Sequence, residues 1–145
     1  MVRTQYMTDT DNMQKELMES PDLDRFLESH KDDFSHVSAA DHLNQLFNSK
    51  KITTASLAKK ACISEVYLHQ VFAGKRNPSR NRLICLCFGL GASLDETQEF
   101  LKHCGYAQLY PKTKRDSIII HGLVHGLDLN EVNDKLFMEN EESLY

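Results

Sequence analysis

Eight cations fall within residues 49–90: Lys50, Lys51, Lys59, Lys60, Lys75, Arg76, Arg80 and Arg82, with Glu65 the single acid among them. Side chains of this type at this density suit one chemistry, the capture of a polyanion, because phosphate binding needs clustered cations rather than a basic average. The rest of the chain is acidic. Residues 1–48 carry a net −6 and residues 91–145 a net −5, against +7 for the basic stretch. A net charge of −4 and a pI near 5.9 therefore conceal a strongly basic middle. A charge run is often no more than a solvated helix face. Here the cations coincide with a helical corner predicted at residues 53–73, which favours binding.

Other chemistries are poorly supplied. His121 and His125 stand i, i+4 on one predicted helix face, a metal-compatible spacing. No third ligand falls in register and there is no H-E-x-x-H pattern, so no metal site is expected. Cys85 and Cys87 are two apart on a predicted helix and face different directions. None of the four cysteines (Cys62, Cys85, Cys87, Cys104) shows CxxC pairing. That argues against a disulfide framework and for a reducing cytoplasm. The acidic residues form no defended carboxylate pair, and the six glycines are dispersed among expected helix ends rather than gathered into a phosphate loop. Neither enzyme activity nor a cofactor is expected. There is no secretory apolar core near the start and no apolar run of membrane-spanning length, so no membrane association is expected.

Positioning falls to helices. Apolar residues recur at helical spacing from about residue 11 and strand signals are scarce, which predicts an all-α fold. The first ten residues read as disordered. Met13, Leu17 and Met18 suggest a short helix over 12–18. Leu23, Phe26 and Leu27 suggest another over 23–29, with Asp22 as N-cap after Pro21. The polar stretch 29–34 reads as a linker. A helix over 39–48 buries Leu43, Leu46 and Phe47. Thr53 caps a helix running through Ala61, with Leu57, Ala58 and Ala61 on its inner side. Ser64 caps the next, whose Leu68, Val71 and Phe72 follow i, i+3, i+4 spacing, and Gly74 ends it at C′. Ser79 starts a helix with Leu83, Leu86, Cys87 and Leu90 on one stripe, stopped by Gly91. A fifth runs over 95–103 and ends before Gly105.

Leu57-Ala58, the corner at Cys62, Ile63-Ser64, Leu68, Gly74-Lys75-Arg76-Asn77-Pro78-Ser79, Leu83 and Gly91-Ala92-Ser93-Leu94 together resemble the phage-repressor/Cro-like (XRE-type) helix-turn-helix family, over about residues 39–103. The resemblance implies a lambda-repressor-like five-helix domain in a bacterial or phage transcriptional regulator, with double-stranded DNA as partner. It places helix 64–73 in the major groove, N-terminus first. Glu65, Val66 and Gln70, assisted by His69, would then face base edges. Gln can bond adenine bidentately, Glu can accept from cytosine N4, and Val can touch a thymine methyl. Thr53, Thr54, Ser64, Lys75, Arg76 and Arg80 would hold phosphate and set register without reading sequence. Three positions depart from the family pattern. Cys62 stands at the corner where Gly is usual, Phe72 replaces a common acidic residue, and Val66 with Tyr67 makes the outer face of the third helix apolar. That last feature equally suits a protein-interaction module that keeps the fold and docks another protein on Val66 and Tyr67. Core packing is the favoured reading for Phe72; Tyr67 is open.

Residues 80–104 and 114–138 match weakly at an offset of 35, with Leu83-Ile84-Cys85 on Ile118-Ile119-Ile120, Gly91 on Gly126 and Leu94-Asp95-Glu96 on Leu129-Asn130-Glu131. Two units do not make a solenoid. A C-terminal helical hairpin with a stripe of Ile118, Ile119, Leu129, Val132, Leu136 and Phe137 explains the match. Such a stripe either packs on the main domain or makes a homodimer spanning two half-sites. The expected organisation is an acidic extension with short helices over 1–34, a helix-turn-helix domain over 35–105, and a hairpin with an acidic tail over 106–145. The extension has the charge to mask the basic face.

Overall fold

Helices start where small oxygen-bearing side chains stand. The Asp22 carboxylate accepts from the Arg25 N–H at 3.2 Å, Thr53 Oγ1 from Ser56 at 3.1 Å and Ser64 Oγ from Tyr67 at 3.1 Å. Ser79 Oγ accepts from Arg82 at 3.3 Å and Asp128 from Glu131 at 2.8 Å. Ser93 and Glu96 form a reciprocal capping box. Each cap satisfies an orphan amide and is worth about 1 kcal/mol.

The computed structural model describes residues 9–31 and 38–145. Among them it is all-helical, and no helix is long and apolar enough to cross a membrane. In the N-terminal unit, α1 (Asp9–Glu19) is followed by α2 (Leu23–Ser29). Phe26 is buried there, the His30 ring lies 4.5 Å from it, and His30 Nε2 meets the Glu16 carboxylate at 2.7 Å. Asp9 and Thr10 are helical, against the expected disorder there, while Ser29, shared by the expected helix over 23–29 and the expected linker, is the last residue of α2. The remainder of both expectations (residues 1–8 and 32–34) and the boundary at 34/35 lie outside the described residues.

Residues 38–145 form a second compact unit: α3 (Ala39–Ser49), α4 (Thr54–Lys60), α5 (Glu65–Phe72), α6 (Arg80–Leu90), α7 (Leu94–His103), α8 (Lys114–Val124) and α9 (Leu129–Met138). One core runs through all seven helices, from Ala39 to Leu144. Helix α6 is its centre. The single stripe expected on it is instead burial all round, since Leu83, Ile84, Cys85, Leu86 and Cys87 are consecutive and each at most 1% exposed. A helix apolar on every side is one that other helices surround. Helix α4 reaches α6 closely at Gly89, where a Cβ would stand 2.8 Å from Leu57 Cδ1 and 3.1 Å from the Ala61 backbone nitrogen. Burial pushes the Cys85 and Cys87 thiols up to about 12, so both stay neutral packing groups.

The hairpin α8–α9 packs into this same core through Ile119, Leu129, Val132 and Leu136. Phe137, expected on the buried stripe, is 80% exposed. Its neighbour Leu136 takes the inward position, and adjacent helical residues point about 100° apart.

The weak offset of 35 is a structural repeat. Ala92 N–H bonds to Cys87 O and Leu127 N–H to Gly122 O, each at 3.0 Å. Gly91, Gly105, Gly126 and Asn140 all have positive φ, in two pairs 35 apart. Gln98 Oε1 accepts from the Leu109 N–H and Asn133 Oδ1 from the Leu144 N–H, both at 2.7 Å, and both leucines are 3% exposed. Arg80 Nε donates to Ala107 O at 2.9 Å and Arg115 Nε to Glu142 O at 2.8 Å. Across the two units Arg80 Nη2 meets the Asp116 carboxylate at 3.3 Å and Arg115 Nη2 meets Asn81 Oδ1 at 3.0 Å. The exchange is reciprocal, as across a two-fold interface, but within one chain.

Candidate nucleic-acid interface

The corner between α4 and α5 is set by backbone. Ile63 N–H bonds to Ala58 O at 3.0 Å, which requires the preceding residue to turn left-handed, and Cys62 has φ +56°. The corner is thus made without a glycine, at a steric cost for the L-residue. Ser64 then opens α5. Leu68 and Val71 are fully buried and fix one side of that helix, so Glu65, Val66 and His69 are turned to solvent and Gln70 is half-buried. Phe72 packs edge-on against Phe47 at 5.1 Å, at the margin of the core. Lys75 and Arg76 follow directly: their N–H groups bond to Gln70 O at 2.9 and 3.3 Å, which holds the basic loop against the end of α5. The Tyr106 hydroxyl anchors the far side of the loop on Pro78 O at 2.7 Å.

Thr53 and Ser64 are exposed caps whose hydroxyl oxygens already accept a backbone N–H; each keeps a proton to donate to an anion. Thr54, the first residue of α4, is half-buried next to Thr53. Two of the eight cations are paired within the fold. Lys50 meets Glu96 at 2.8 Å, and Arg80 is bound to Ala107, Gln108 and Asp116. Lys51, Lys59, Lys60, Lys75, Arg76 and Arg82 remain exposed. Lys59 and Lys60 also end α4, where cations suit the helix dipole. Lys51 and Lys60 border an open groove of about 720 Å³ with Thr53 and Ser56.

Tyr67 is where sequence reasoning stopped short. Its ring has the Arg82 Cζ at 4.5 Å and the Arg76 Cζ at 5.9 Å from its centroid. Burial pushes the phenol up, while the two guanidinium groups pull it down. Only the alternation of an aromatic with cations 9 and 15 residues on could have signalled this contact, and that spacing has no helical period. His121 and His125 do meet, with ring centroids 4.3 Å apart, and no cluster of three metal-ligating side chains includes them among the described residues.

No protein-family model, curated protein or solved structure matches the chain.

Proposed function

We propose that this protein is a DNA-binding transcriptional regulator of the XRE type. In this reading α3–α7 form a lambda-repressor-like helix-turn-helix domain and α5 enters the major groove. Glu65, Val66, His69 and Gln70 meet base edges there, while Thr53, Thr54, Ser64, Lys75 and Arg76 contact phosphate. The observation that carries this reading is a solvent-facing α5 side bordered by exposed Lys75, Arg76 and Arg82. Phosphates dominate affinity and bases set preference, so the two groups of residues separate in experiment. Charge reversal at Lys75 and Arg76 should weaken binding to every duplex. Gln70→Ala should relax sequence preference with little change in the salt dependence. A chain whose retention on duplex DNA is independent of salt contradicts the proposal.

Apart from Phe137, the stripe offered for dimerisation packs inside the chain, so a homodimer on two half-sites would use Phe137 or other surface. Val66, 69% exposed at the start of α5, favours a second reading, a protein-interaction module. Loss of a partner on Val66→Asp, with no DNA retention at low salt, would select it.

A further inference from the structure

The two copies of the repeat within one chain separate what the fold needs from what it does not. Arg80 and Arg115 hold equivalent places. Each clasps two carbonyls of the segment that follows its own helix pair, Ala107 and Gln108 for one, Glu142 and Ser143 for the other, and each crosses to the other unit. An arginine required twice, on the same partners, is a latch of the architecture. Arg82 is different. The position 35 residues on is Ser117, so the fold does not call for a cation there. Arg82 lies exposed on α6, two residues past the latch, with its guanidinium over the ring of Tyr67 on α5 and Arg76 over the same ring from the loop.

We infer that Tyr67 is a positioning residue that holds Arg82 and Arg76 as a pair of phosphate contacts beside α5, and that Arg82, not Arg80, supplies the cation of α6 to nucleic acid. This rests on the DNA-binding reading. A guanidinium stacked on an aromatic face keeps its edge N–H groups free to meet phosphate oxygens, and loses less freedom on binding than an unsupported side chain. Tyr67, half-buried and fixed by the cap of α5, is the rigid member of the set.

The test measures fluorescence anisotropy of a random-sequence DNA duplex with the full chain, between about 50 and 200 mM salt. Arg82→Ala should lower the slope of log affinity against log salt by about one, the loss of one phosphate contact. Arg80→Ala should leave that slope unchanged while lowering the melting temperature. Tyr67→Leu should weaken binding roughly two- to fivefold, the worth of an exposed ring–guanidinium contact, and Tyr67→Phe should restore it. Arg82→Lys, which keeps charge and fold but loses the stack, should hold the slope and lose affinity. A wild-type chain with no salt-sensitive binding removes the functional reading and this inference with it. Binding by the wild type with an unchanged slope in Arg82→Ala, or equal losses in Tyr67→Phe and Tyr67→Leu, overturns the inference alone.

Discussion

Replacing Cys62 by glycine tests the corner on which the orientation of α5 depends. The residue sits at φ +56°, where an L-side chain costs roughly 1–2 kcal/mol that glycine does not. Glycine in turn adds freedom to the unfolded chain, a loss of about 0.5–1 kcal/mol. Cys62 is exposed, and the contact given up, with the Tyr145 hydroxyl, lies at the surface. The net expectation for Cys62→Gly is stabilisation by about 0.5–1 kcal/mol, or roughly 2–6 °C in Tm for a unit of this size. Cys62→Val should move the other way by at least as much, because a β-branched side chain tolerates φ > 0 poorly. The assay is thermal unfolding followed by circular dichroism under reducing conditions, with duplex affinity measured alongside. Stability that is equal in the glycine and valine variants, or greater in valine, would refute a left-handed corner at this residue.

Gly122→Ala should destabilise by about 1–2 kcal/mol, since a Cβ there lies 2.4 Å from Val132 Cγ2 and 3.3 Å from Phe88 Cζ, and crowding outweighs the gain in helix propensity; denaturant titration measures it. Leu144→Ala should cost about 2–5 kcal/mol, as for a core leucine, although it stands in an irregular tail. The Lys50 ammonium, then the Ser93 backbone N–H, hold the Glu96 carboxyl below the usual carboxylate range. A depressed folded-state value gives stability that is present above the unfolded pKa of about 4.3 and lost as pH falls through the folded one. Glu96→Gln should therefore lower Tm at neutral pH and flatten its fall on acidification; an identical pH profile in the variant would reject the linkage.

What the sequence disclosed was local. Caps at Asp22, Thr53, Ser64 and Ser79, and helix ends at Gly74, Gly91 and Gly105, were readable because each acts on backbone within four residues. The burial of Leu57 and Leu68 followed from helical period. The all-round burial of α6 did not, because periodicity cannot say how many neighbours a helix has. Long-range pairings were equally silent. The resemblance implied a phosphate contact at Arg80, while its partners Gln108 and Asp116 are 28 and 36 residues away. The repeat was visible only as scattered identities, since some of its structural matches are of role rather than of residue: Gln98 with Asn133, and Gly105 with Asn140. Of the candidate site, the outward face of α5 was legible and the Tyr67–Arg82 contact was not.

The most direct measurement of the central claim is selection of the purified chain against a random duplex library, with the enriched pool and an unselected pool then titrated with salt. The DNA-binding account predicts one enriched sequence pattern, abolished by changes at Gln70 and Glu65, and affinity for both pools that falls steeply as salt rises. A library that emerges unenriched, with no salt-dependent binding to either pool, would contradict it.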